Sequence, residues 1–75
     1  MAHRDKSSKF IELANKRVNR ALKDLRLISN LANRRNYDFT DEQARKIVRT
    51  LQKEVEVVRQ SFQSANEHDS DHFRL

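Results

Sequence analysis

The chain has 75 residues, no glycine, proline, cysteine or tryptophan, and sixteen Lys and Arg against eleven Asp and Glu, for a formal charge of +5. That composition excludes a disulfide scaffold, a cysteine-containing zinc site, glycine-rich phosphate loops and the tight hairpin turns of small β proteins. Mean hydropathy is −0.99 and 36% of residues are charged, so the expectation is one small, cytoplasmic, all-α domain with no membrane span.

Residues 1–7 are polar and are expected to fray. Ser7 and Ser8 are good cap types ahead of the first apolar residues, Phe10 and Ile11. Apolar residues then recur at Ile11, Ala14, Val18, Ala21, Leu25, Ile28 and Ala32, in alternating steps of three and four. That is an unbroken heptad seam. Phe10, Leu22 and Leu31 widen it into the broad stripe of a bundle helix, and the spacing predicts a helix over about 8–33.

Residues 34–39 read as a loop. Asn tolerates the left-handed conformation, so Asn33 or Asn36 is expected to end the first helix. Thr40-Asp41-Glu42-Gln43 fits a capping box, with Phe39 and Ala44 placed to form the hydrophobic staple beside it. Asp41 and Glu42 bring negative charge to the first turn, where the helix dipole favours it.

A second seam follows at Ala44, Val48, Leu51, Val55, Val58, Phe62 and Ala65, widened by Ile47, and predicts a helix over about 40–65. Residues 66–75 lose the periodicity and read as a flexible polar tail. Two such helices joined by a short loop suggest an antiparallel hairpin. Its stripes are too wide for one partner to cover, so a homodimer forming a four-helix bundle is the expected assembly. Small Ala residues along both seams suit close helix approach. That arrangement resembles the plasmid Rop family of RNA-binding bundles in architecture alone, with no shared motif and no residue roles to carry over.

Arg17-Val18-Asn19, Ala21-Leu22-Lys23, Leu27-Ile28-Ser29-Asn30-Leu31, Asn36-Tyr37 and Phe39-Thr40-Asp41-Glu42 together resemble small bacterial or mobile-element helical-hairpin proteins. The pattern spans about residues 9–64 and implies a bacterial setting, with no activity attached.

Positive charge is concentrated in the first half. Residues 1–39 hold ten Lys and Arg against four Asp and Glu, or +6, whereas residues 40–75 hold six against seven, or −1. Lys9, Lys16, Lys23 and Asn30 follow one outward stripe at seven-residue spacing, flanked by Arg20, Arg26 and Arg34. Duplex nucleic acid carries one phosphate charge per about 1.7 Å of axis, so such a face suits RNA or DNA. Arg34, Arg35 and Tyr37 at the loop suit unpaired bases, which stack on guanidinium and aromatic planes. The plainer readings are a solvated face, with Glu12–Lys16 and Arg20–Asp24 as local ion pairs, and Tyr37 and Phe39 plugging the bundle end. An acidic protein is a third partner for the same charges.

Leu13, Leu27 and Val57 fall outside the seams and mark a candidate surface for an oligomer or partner. They are the basis of the alternative, a protein-interaction module acting as adaptor or inhibitor of a larger bacterial or phage machine. Catalysis is not expected: no Ser, Thr or Lys has a recognisable base partner, and no cofactor is implied. His68 and His72 stand four apart with carboxylates between them, the spacing of a helical metal pair. In a loose tail that cluster is more plainly solvated, and no metal is expected there.

Overall fold

The computed structural model describes the backbone of residues 2–73 and the side chains of residues 5–66. It consists of two α-helices, α1 (Ala2–Ser29) and α2 (Asp41–Phe73), with no strand among the described residues. At 1.5 Å per residue the helices run for about 42 and 50 Å. Residues 1–38 and 39–75 form separate structural units.

The helices differ from the expected bounds at three ends. α1 begins at Ala2, so Ser7 and Ser8 lie inside it and do not cap it. α2 runs on to Phe73, through the segment read as a tail. Neither segment contains Gly or Pro, and polar side chains alone do not interrupt the i→i+4 ladder. Loss of apolar periodicity removes the packing face of a helix without removing its hydrogen bonds.

The third difference is the end of α1, which stops four residues early and leaves Asn30, Ala32 and Arg34 outside the helix. Leu31 N–H donates to the Ile28 carbonyl and Ala32 N–H to that of Ser29, both at 3.0 Å. These i→i+3 bonds tighten the chain out of the α-helix and use carbonyls that the helix end leaves open. No described residue takes a positive φ, so the left-handed asparagine ending expected here is replaced by this tightening.

Asn33 instead opens a single new turn. Its Oδ1 accepts from Arg35 N–H at 3.0 Å, and its carbonyl accepts from Asn36 N–H at 3.1 Å and Tyr37 N–H at 2.9 Å. A short side-chain amide that mimics a backbone turn is the usual way asparagine orders a loop.

The start of α2 matches its sequence signature. Thr40 Oγ1 accepts from Gln43 N–H at 3.0 Å, and Gln43 Oε1 accepts from Thr40 N–H at 2.9 Å. Asp41 and Glu42 occupy the first turn, while α1 carries Asp5 near its start and Arg26 in its last turn. α1 is thus charged at both ends, and α2 at its start, in the sense that the helix dipole favours.

Each helix concentrates its large apolar residues on one arc, and no described residue is buried. Val18 of α1 is 56% exposed and Val55 of α2 is 66% exposed. Ala14, Ile28, Ala44 and Leu51 are half-buried.

Candidate nucleic-acid interface

α1 turns by about 100° per residue, which sets Lys9, Lys16, Arg20 and Lys23 within a sector of about 60°. This sector lies opposite the apolar arc centred on Val18 and Leu25. The reason is the heptad itself: positions seven apart drift by only about 20° around an α-helix. Arg26 stands about 60° from Lys23, on the shoulder of the face. All five cations are exposed.

The ion pairing of this face differs from expectation. Glu12 lies 3.9 Å from Lys9 (i, i+3), and neither the Glu12–Lys16 nor the Arg20–Asp24 pair forms. Three- and four-residue spacings both bring side chains together on a helix surface, and exposed pairs gain too little to enforce one choice over another. Lys16, Arg20, Lys23 and Arg26 consequently have no ion-pair partner among the described residues.

Arg34 does not continue the stripe, because α1 has already ended. It lies with Arg35 in the turn that Asn33 organises, followed by Tyr37, which is 49% exposed. The candidate residues therefore divide into a row on α1 (Lys9, Lys16, Arg20, Lys23, Arg26) and a group at the turn (Arg34, Arg35, Tyr37). Leu27, 56% exposed, lies within the cationic sector of α1, and the half-buried Leu13 stands about 20° beyond its edge. Val57, 48% exposed, stands on α2 well away from its apolar arc.

One group escaped the comparison of half-chain charges. Arg45, Lys46, Arg49 and Lys53 lie in a nine-residue stretch of α2 with no acid among them. Lys46, Arg49 and Lys53 occupy the side of α2 away from Leu51 and Val55, with Arg45 at the edge of the apolar arc; all four are exposed and make no ion pair among the described residues. Counting the half as a whole hid them, since the seven acids of residues 40–75 outweigh its six cations. A window of one or two helical turns would have found them. The stems of Arg45 and Arg49, with Ala44 and Val48, line a shallow open recess.

His68 and His72 have side chains outside the described residues, as does His3. Among the described residues no cluster of three or more His, Cys, Asp or Glu is placed to hold a metal. No described helix is long and apolar enough to cross a membrane.

Comparison with protein-family models, curated proteins and solved structures finds no match, so neither the bacterial resemblance nor the Rop-like arrangement gains a relative to support it.

Proposed function

We propose that this chain is a small non-enzymatic nucleic-acid-binding protein that works as an antiparallel hairpin dimer, its basic residues facing outward. The observation that carries the reading is the row Lys16, Arg20 and Lys23. It combines one sector of α1, exposed side chains, no ion pair among the described residues, and a position opposite the apolar arc. Covering the apolar arc in an assembly leaves this row free. The assembly is favoured because moving a Val, Leu, Ile or Phe side chain fully out of water gains about 1.5–3 kcal/mol, and most helical stability in proteins comes from packing an amphipathic face. The row consists of flexible Lys and Arg side chains on an exposed helix face, so the expected contact is with phosphates, with little sequence preference.

The test is titration of fluorescently labelled duplex and single-stranded oligonucleotides across a salt series. Affinity that falls steeply with rising salt supports the reading, because bound phosphates release counterions. Absence of binding at low salt, or binding indifferent to salt, overturns it.

A second reading rests on Leu27 and Val57, exposed within otherwise polar surroundings and joined by Leu13 as a candidate docking surface. In it the chain is an adaptor or inhibitor that seats these residues on a larger protein. Partners retained after nuclease treatment of a pull-down favour it; partners lost with the nucleic acid favour the first.

A further inference from the structure

We propose that Arg45, Lys46, Arg49 and Lys53 of α2 form a second phosphate-contacting surface that grips the backbone of a nucleic-acid duplex without reading its bases. This rests on the reading of the chain as a nucleic-acid-binding protein, and it extends the interface beyond α1 and the turn.

Four observations carry it. The segment from Gln43 to Lys53 contains four cations and no acid. None of the four cations is spent on an ion pair among the described residues. The acid best placed to quench Lys53 is Glu56, three residues on, and it is held elsewhere. Arg59 donates to it from Nε at 3.2 Å and from one terminal nitrogen at 2.8 and 3.1 Å, and Gln60 Nε2 adds a longer bond at 3.5 Å. Fourth, Lys46, Arg49 and Lys53 stand away from the apolar arc of α2 and Arg45 flanks its edge beside Val48, so covering that arc leaves the first three exposed. Glu42, three residues before Arg45 and four before Lys46, makes no ion pair among the described residues.

The shape of the patch selects the ligand. Arg45, Arg49 and Lys53 follow one another at i, i+4, a nearly straight row of about 12 Å. A duplex presents about seven phosphate charges over that length. No aromatic residue lies in the row, since Phe62 belongs to the opposite, apolar side. Without an aromatic platform beside them, the guanidinium and ammonium groups of this row suit contact with a duplex backbone better than stacking on unpaired bases.

The test compares three proteins: the wild-type chain, an α1 variant (Lys16→Gln, Arg20→Gln, Lys23→Gln) and an α2 variant (Arg45→Gln, Arg49→Gln, Lys53→Gln). Glutamine keeps helix propensity, and circular dichroism checks that helicity is preserved. Each is titrated with a labelled mixed-sequence DNA duplex over a salt series. The α2 variant is expected to bind about tenfold or more weakly, with a salt slope shallower by about 2–3. Wild-type slope and affinity in the α2 variant, with loss in the α1 variant, overturn this inference and leave the proposed function standing. Loss in the α2 variant alone upholds the inference and removes α1 from the interface. A wild-type chain that binds no duplex overturns both. Retained duplex binding with lost capture of a polyglutamate peptide assigns the surface to an acidic protein and likewise overturns the inference.

Discussion

Thr40 and Gln43 bond reciprocally, each side chain accepting from the other's backbone N–H at 3.0 and 2.9 Å. Two donors that the start of α2 would otherwise leave open are satisfied by two residues three apart. Thr40→Ala is expected to destabilise α2 by about 1 kcal/mol, and Thr40→Ser to restore most of it. Thermal unfolding followed by circular dichroism checks this; equal midpoints for all three proteins would show that the cap contributes nothing.

The Arg59–Glu56 fork is exposed, so its direct contribution to stability is small. A double-substitution cycle is expected to give a coupling of about 0.3–0.5 kcal/mol that fades in molar salt. Its larger expected effect is on binding. Arg59→Ala releases Glu56 to pair with Lys53 and is expected to weaken duplex affinity about twofold beyond the loss caused by Arg59→Ala in a Glu56→Gln background. Equal losses in the two backgrounds would show that Glu56 has no influence on Lys53.

If the apolar arcs are covered by a second copy, the melting temperature rises with protein concentration. Val18→Glu or Val55→Glu then lowers the sedimenting mass to that of one chain and reduces helicity. A wild-type chain that sediments as a single copy and melts cooperatively at a concentration-independent temperature refutes the dimer.

Tyr37 offers an exposed ring two positions after Arg35 in the sequence, the chemistry of a stacking platform for unpaired bases. Tyr37→Ala is expected to cost about 1–3 kcal/mol in affinity for single strands, with Tyr37→Phe close to wild type and duplex affinity unchanged. Parallel oligonucleotide titrations check this, and an unchanged single-strand affinity for Tyr37→Ala removes the turn from the interface.

Legibility in the sequence followed the range of each interaction. The start of α2 was readable because a capping box is written in four consecutive residues. The apolar arcs were readable because they repeat every three or four. The end of α1 was not: Asn33 was identified as a boundary residue, but its side chain orders the following turn through Arg35 N–H and does not take the left-handed form. Arg34 was consequently placed on a stripe that ends before it. The α2 cations were visible in composition and lost by summing charge over half the chain.

The amino-acid order by itself determined two amphipathic helices, the cap of the second and the side of α1 on which Lys9, Lys16, Arg20 and Lys23 stand. All of these are properties of residues within one or two turns of each other. Only the three-dimensional structure decided where α1 stops and which carboxylates are engaged, Glu12 by Lys9 and Glu56 by Arg59. Those choices depend on side-chain rotamers and on competition between i+3 and i+4 neighbours that differ by less than about 1 kcal/mol, a margin that residue spacing does not resolve.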